Sequence, residues 1–253
     1  MGGRRVVEEY GDSPLHRGEW WIPDVGRAPW PTVVLVQGGF WRPRYDRTLE
    51  DAVAADLCDR GYLCWNIDYA ASDHPWPTTL TDVAAAYDHL MTSELVARAR
   101  IAVVGHSAGG HLALWLASRH RLPPGAPGVP SVDVPRPRLC VAQAGVAALA
   151  QAAREGVGAG AMQTLLAGGP EDVPDRYAVA DPVALLPTDV RTVLIHGTSD
   201  PSVPLSQSET YVAAATATGD RSRLVTYDGR HFEHLDPTSE AVDLLRGALV
   251  DEV

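Results

Sequence analysis

A serine at the end of an apolar run is the residue whose setting points most directly to chemistry. Residues 105–109 read Gly-His-Ser-Ala-Gly, at the end of the strand-like run 100–105 and the start of a helix-like run from residue 108. G-x-S-x-G in a strand–turn–helix setting predicts a turn so sharp that the residues flanking the serine need minimal side chains. Such a turn presents Ser107 as a nucleophile; the competing interpretation is a serine that only caps the helix.

A nucleophilic serine needs a base, and the base needs a group that orients it. Asp200 follows the strand-like run 192–197, and His231 follows the run 222–229. Parallel strands that carry such a serine turn supply the acid and then the histidine in this chain order, so we predict that the three side chains form a catalytic triad. Asp200 has an alternative interpretation as an Asp-Pro turn residue.

Other histidines compete for the role of the base. His234 lies three residues after His231 and could share a helical face with it, but His231 follows the strand sooner. His106 and His111 flank the serine turn, where packing or capping explains them better than proton transfer. His196 ends a buried strand and is expected to be a satisfied core histidine. We therefore predict His231 as the base.

A pair of glycines could hold the negative charge that acyl transfer creates. The N–H that follows the nucleophile, on Ala108, is one expected donor to the oxyanion. Gly38 and Gly39 follow the strand-like run 32–37 and would let a second backbone segment come close to the substrate oxygen. We predict these glycines as the rest of the oxyanion hole, with the N–H of Phe40 as a further donor. A tight turn that needs two glycines is the competing interpretation.

Alternating segments indicate how these residues are positioned. The expected strands are 32–37, 62–69, 100–105, 139–145, 192–197 and 222–229, and the expected helices are 49–61, 79–94, 108–120, 208–219 and 240–249. Two earlier segments, 6–11 and 18–23, are typical of antiparallel edge strands. The alternation predicts a single α/β domain over 1–253, with a mostly parallel sheet covered by helices on both faces.

Two longer segments interrupt this alternation. Residues 121–138 contain six prolines and are expected to form a surface connection. Residues 146–187 lie between the fourth and fifth parallel strands, and in an open α/β sheet they would sit at the carboxyl ends of the strands. We expect this insertion to form a small partial lid.

Composition and charge narrow the class of protein. The chain has 253 residues, 45% of them apolar, which is enough for one sizeable core. A net charge of −11 without a basic cluster argues against nucleic acid and membrane surfaces as partners. The three cysteines lack metal-like spacing, and no signal-peptide or membrane-spanning run is visible. We expect a cytoplasmic protein that needs no metal or cofactor and acts on a small molecule; its oligomeric state is left open.

The motifs together resemble a known family. Residues 37–41 (QGGFW), 105–110 (GHSAGG), 196–204 (HGTSDPSVP) and 231–237 (HFEHLDP) look like the esterase–lipase branch of α/β-hydrolases. That branch includes carboxylesterases and kynurenine formamidases with an HGG-aromatic-W loop, and the resemblance covers nearly the whole chain. It implies an α/β-hydrolase fold with the following residues at the site: Ser107 as nucleophile, His231 as base, Asp200 as acid, and Gly38, Gly39 and Ala108 around the oxyanion.

Gln37 departs from the family pattern, in which a histidine precedes the two glycines. Its amide can donate and accept hydrogen bonds but does not titrate near neutrality. Gln37, Trp41 and Trp76 are candidates for the substrate pocket, where the two tryptophans could line an apolar or aromatic surface. Other tryptophans are expected in the core, because Trp is highly buried on average: Trp20, Trp65 and Trp115.

Three functions are compatible with these residues. The first is a serine hydrolase that cleaves a small carboxylic ester or an aryl formamide through an acyl-enzyme. The second is an acyltransferase or cyclase with the same triad, and the third is a non-catalytic ligand-binding module on the same fold. The presence of all three triad residues favours an enzyme.

Overall fold

One mixed sheet runs through the computed structural model, which describes residues 3–130 and 134–253. Its strands are β1 Arg4–Glu9, β2 Arg17–Ile22, β3 Trp30–Val36, β4 Leu63–Ile67, β5 Val96–His106, β6 Leu139–Gln143, β7 Arg191–Gly197 and β8 Ser222–Tyr227. Within the described residues they are ordered β1-β2-β4-β3-β5-β6-β7-β8. β2 pairs antiparallel with β1 and β4, and all other neighbours are parallel. The predicted α/β-hydrolase sheet with an antiparallel edge is confirmed.

Helices cover both faces of this sheet. They are α1 Asp51–Asp59, α2 Thr78–Asp88, α3 Ala108–Ser118, α4 Leu149–Arg154, α5 Ala161–Leu166, α6 Pro174–Ala180, α7 Ser206–Ala217 and α8 Glu240–Val250. Successive side chains of a strand point to opposite faces. Val34 therefore joins the core with Leu112 of α3, whereas Leu35 joins the other core with Leu245 of α8. Burial on both faces explains why the central strands read as continuous apolar runs.

Some element boundaries differ from those predicted. The helix expected over 79–94 is α-helical only to Asp88 and then continues as a 3₁₀ turn, His89–Thr92. Strand β5 begins at Val96 rather than residue 100, because its exposed and partly polar first half still pairs with β3 through Trp30. Exposed strand residues carry no apolar signal, so only the pairing reveals where such a strand begins.

The insertion 146–187 packs on helix α3. The Nε2–H of His111 donates to the carbonyl of Ala180 at 2.9 Å, and the Nε1–H of Trp115 donates to the carbonyl of Val179 at 2.8 Å. The strands on either side of the insertion, β6 and β7, are neighbours in the same sheet. Its role as a partial lid stays a prediction. The surface connection expected over 121–138 falls partly on 131–133, which lie outside the described residues.

Two findings bear on the cellular setting. Cys58, Cys64 and Cys140 are buried free thiols, and burial raises the pKa of Cys140 above its ordinary value. In the two described stretches, no helix is both long enough and apolar enough to cross a membrane. The cytoplasmic location stays a prediction.

The buried His111 should make the fold sensitive to mild acid. Burial lowers its pKa to about 4, so below about pH 6.5 the unfolded chain binds a proton that the folded chain does not. Stability should therefore fall as the pH decreases from about 6.5 towards about 4. His111→Gln should reduce the loss of unfolding free energy between pH 6 and pH 5 by about 1 kcal/mol. Urea unfolding of both proteins at the two pH values measures the difference; equal losses would contradict the assignment.

Candidate active site

Ser107 occupies a strained turn between β5 and α3. Its φ of 56° and ψ of −118° lie where an L-residue is found only when its surroundings force it. Its N–H donates to the carbonyl of Gln143 at 2.8 Å, and its carbonyl accepts from the N–H of Val146 at 3.3 Å. A Cβ on Gly109 would lie 1.9 Å from the carbonyl oxygen of Val36, so α3 reaches β3 this closely only with glycine there. The sequence pattern thus has a mechanical cause.

Asp200 and His231 meet between the loops that follow β7 and β8. The Nδ1–H of His231 donates to Oδ2 of Asp200 at 2.7 Å. The other carboxylate oxygen accepts from the N–H groups of Ser202 at 2.8 Å and Val203 at 3.0 Å. Burial opposes the charged form of Asp200, but hydrogen bonds from His196, His231 and the backbone outweigh it and hold the pKa of this carboxyl below its ordinary value. His231 is thus oriented by a carboxylate.

The neighbouring histidines have other partners. His196 accepts from the hydroxyl of Ser208 at 2.7 Å and donates to the carbonyl of Val203 at 3.0 Å, so it is a satisfied core histidine and a weaker partner of Asp200, at 3.4 Å. His234 is buried, with its Nε2 3.2 Å from the hydroxyl of Tyr227. The structure therefore brings His231, and not His234, to the acid.

His106 contacts His231, and the sequence interpretation did not predict this contact. Its Nε2–H donates to the carbonyl of His231 at 2.8 Å, and the two rings lie 4.7 Å apart. Burial, followed by the charge of His231, lowers the pKa of His106 to about 3. A neutral imidazole has one N–H to donate, and here it holds the backbone carbonyl of His231. The histidine beside the serine was visible in the sequence, but its partner lies 125 residues away.

Ser107 and His231 open onto one cavity of about 210 Å³. Its walls are formed by Gly39, Phe40, Arg42, Arg44, Tyr45, Leu49, His106, Ser107, Ser202, His231, Phe232 and Leu235. A shared cavity is what a serine and its base need to act on one substrate. The volume is below the roughly 300–1,000 Å³ of sites for drug-sized ligands, which favours a small reacting group. Nowhere in the described chain is a group of His, Cys, Asp and Glu arranged to hold a metal ion.

The predicted oxyanion residues surround the serine. Gly39 and Phe40 line the cavity, and a Cβ on Gly38 would lie 2.9 Å from the Cβ of Ser107. Gly39 has a φ of 110°, which an L side chain rarely adopts. Ala108 begins α3, where N–H groups of the first turn have no partner inside the helix. The structure brings these residues together; their role as an oxyanion hole stays a prediction.

The three candidate pocket residues are not among those that line this cavity, and their role in a substrate pocket stays a prediction. Gln37 lines a separate cavity of about 520 Å³, and its carbonyl accepts from the hydroxyl of Tyr69 at 2.8 Å. Trp41 is 1% exposed and packs edge-to-face with His111 at 5.2 Å. Trp76 packs near α5. Trp41 turns inward because the core can bury its whole ring, which leaves Phe40 and Tyr45 as the aromatic residues of the loop that face the cavity.

The serine turn, the following acid and histidine, and the sheet order define an α/β-hydrolase. Residues 19–214 match the profile of the BD-FAE family, so the chain belongs to the BD-FAE family, an esterase family with this fold.

Curated relatives are also esterases by name. The chain is similar to esterase LipC of Mycobacterium tuberculosis, with 37% identity over 114 residues that cover 43% of this chain and 28% of LipC. It is also similar to a probable isoprenylcysteine α-carbonyl methylesterase, ICME, of Oryza sativa subsp. japonica, with 28% identity covering 96% of this chain and 61% of that protein. The chain thus spans only 28% and 61% of the length of these two relatives.

Solved structures share the whole fold. A truncated carbohydrate esterase from gut microbiota superimposes with a TM-score of 0.86 at 18% identity, covering 99% of this chain and 96% of that one. Esterase B from Lactobacillus rhamnosis superimposes with a TM-score of 0.81 at 20% identity, covering 98% of this chain and 86% of that one. At such identities the likeness establishes the fold alone.

Substitution of the two competing histidines should separate their roles. His231→Gln should lower kcat by about 10⁴-fold, because the base that activates a serine is lost. His234→Gln should keep kcat within about tenfold, because its partner is Tyr227 rather than Asp200. Steady-state hydrolysis of a short 4-nitrophenyl ester measures both, with thermal unfolding as the check on folding. A larger loss of kcat in His234→Gln than in His231→Gln would show that His234 is the base.

A methyl group at Gly38 should damage catalysis more than folding. Its Cβ would lie 2.7 Å from the carbonyl oxygen of His106, so Gly38→Ala must displace the loop beside Ser107. Loss of one oxyanion donor lowers kcat by about 10²–10³-fold. Gly247→Ala in α8 is the matched control, because nothing lies within 4 Å of its Cβ and alanine favours a helix. Equal kcat values for the two variants would contradict a role of the 38–40 loop in stabilising the oxyanion.

Proposed function

We propose that this chain hydrolyses a small carboxylic ester through an acyl-serine intermediate. The observation that carries the proposal is the 2.7 Å hydrogen bond from His231 to the buried carboxylate of Asp200, with His231 and Ser107 on the same cavity. Membership of an esterase family and the names of the relatives support an ester as the substrate. Ser107 would be the nucleophile, His231 the base and Asp200 the acid that orients it.

Acylation begins with a proton transfer. Nε2 of His231 takes the proton of the Ser107 hydroxyl while Oγ bonds to the carbonyl carbon and the π electrons move to the oxygen. The N–H groups of Ala108 and of the 38–40 loop face this oxyanion. As the carbonyl re-forms, the bond to the leaving oxygen breaks, and that oxygen takes the proton from His231. The alcohol departs, and the acyl group remains on Oγ.

Deacylation repeats the steps with water. His231 takes a proton from a water molecule whose oxygen bonds to the acyl carbon, and collapse of the second tetrahedral intermediate breaks the bond to Oγ. Oγ recovers the proton from His231, and the carboxylic acid leaves. In both halves the Asp200 carboxylate stabilises the imidazolium that forms on His231, which is the physical reason for burying a charged group beside it.

Two related reactions use the same atoms. An aryl formamide would lose an arylamine instead of an alcohol and leave a formyl group on Ser107. An acyltransferase would admit an alcohol or amine in place of the water. Product analysis separates both from ester hydrolysis.

The test combines covalent labelling with a substrate panel. A fluorophosphonate probe should label the wild type and not Ser107→Ala, whose turnover of 4-nitrophenyl esters should fall by about 10⁴-fold or more. Ser199→Ala is the matched control, because this exposed serine lies beside Asp200 without belonging to the triad. The panel contains esters of increasing acyl length and N-formylkynurenine, with added methanol to reveal acyl transfer. Labelling that persists in Ser107→Ala would contradict the assignment of Ser107 as the nucleophile.

A further inference from the structure

Two arginines in the cavity are not used by the proposed reaction. Apart from the histidines, Arg42 and Arg44 are the charged side chains among the residues that line it, and no carboxylate is part of the lining. The whole chain carries a net charge of −11. A positive cavity in an acidic protein needs a specific reason.

Aromatic rings hold both guanidinium groups at the cavity. The guanidinium of Arg42 lies 5.6 Å from the ring of Phe40, and one of its N–H groups donates to the carbonyl of Gly158 at 3.0 Å. The guanidinium of Arg44 lies 4.8 Å from the ring of Tyr45. Both rings line the cavity. A guanidinium held against a ring keeps N–H donors free for a planar anion.

Neither arginine has an acidic partner in the part of the chain that the structure describes. Other arginines near this loop do: Arg47 pairs with Asp68 at 2.6 Å, and Arg5 pairs with Glu19 at 2.7 Å. Arg42 and Arg44 thus face the cavity without a carboxylate that neutralises them.

Much of the remaining cavity wall is apolar or aromatic. Phe40, Tyr45, Leu49, Phe232 and Leu235 contribute to it. Phe232 is 67% exposed, and its ring packs edge-to-face with His231 at 5.0 Å. A large apolar side chain kept in solvent beside the base fits a site that contacts an apolar part of a ligand. Apolar walls and two free guanidinium groups together match a small apolar molecule with one anionic end.

We propose that the ester bound at this site carries a carboxylate, which Arg42 and Arg44 hold. The proposal rests on the proposed function for the identity of the reacting bond, but the recognition of the carboxylate can be tested by binding alone. Arginine and carboxylate form paired, parallel hydrogen bonds that a neutral group cannot replace. Arg42, which is half-buried and tethered to Gly158, should contribute more than the exposed Arg44.

The binding test uses Ser107→Ala, which should bind an ester without cleaving it. Calorimetry compares 4-carboxyphenyl butanoate with 4-carbamoylphenyl butanoate, which has the same shape and no charge. The carboxylate should bind about tenfold more tightly at low salt, and the preference should shrink at high salt. Adding Arg42→Gln and Arg44→Gln should abolish the preference. Arg27→Gln removes a charge from an exposed loop that precedes β3, whereas the cavity loop follows the other end of this strand, and it should leave the preference unchanged.

Turnover then locates the carboxylate. Hydrolysis is measured for the wild type and for the arginine variants that retain Ser107. The first substrate pair is the two butanoates, in which the carboxylate lies in the alcohol part of the ester. The second pair is phenyl 4-carboxybenzoate and phenyl 4-carbamoylbenzoate, in which the carboxylate lies in the acyl part. The ratio of kcat/KM within a pair should fall in the arginine variants for the part that the arginines contact. Equal binding of charged and neutral esters, together with ratios that the arginine variants do not change, would overturn the proposal. Charge-dependent binding without Ser107-dependent turnover would instead support it and refute the proposed function.

Discussion

The strained backbone at Ser107 is the constraint on which the rest of the site depends. A residue with this conformation costs about 1–3 kcal/mol and persists only where its surroundings over-determine it. Here strand β5 enters the turn and helix α3 leaves it, and every residue of α3 is buried. A helix buried on all sides cannot rotate away to relax the turn. The stability of the core thus keeps the hydroxyl of Ser107 where the proposed reaction needs it.

A single carboxylate is hydrogen-bonded to His231. Asp200 is held as an anion by hydrogen bonds, while burial lowers the pKa values of His106 and His234 and keeps these rings neutral. A protonated ring in contact with His231 would oppose the imidazolium that the proposed reaction forms there. Burial keeps the neighbouring histidines neutral and leaves the Asp200 carboxylate as the charge hydrogen-bonded to His231.

The insertion 146–187 contacts the residues of the cavity wall at Gly158. No residue of this fully described segment lines the cavity, but the carbonyl of Gly158 accepts a hydrogen bond from Arg42. A Cβ on Gly158 would lie 2.6 Å from the ring of Phe40. The insertion thus positions a guanidinium and an aromatic wall, and it is itself fixed to α3 through His111 and Trp115. Substitutions in the insertion would therefore affect the cavity through the contacts of Gly158 with Arg42 and Phe40.

The sequence by itself determined the alternation of strands and helices, the serine turn, and the order in which Asp200 and His231 follow it. These features are local: a strand buried on both faces, a turn that needs glycine and a loop after a strand each leave a pattern within a few residues. Tertiary structure decided that His231 is the histidine that meets Asp200, and that His106 holds the backbone of His231. It also decided that Trp41 turns into the core while Phe40 faces the cavity. It also brought Arg42 to Gly158, 116 residues away. Such contacts depend on how distant segments pack, and no short pattern records the distance between side chains that meet only after the sheet has formed.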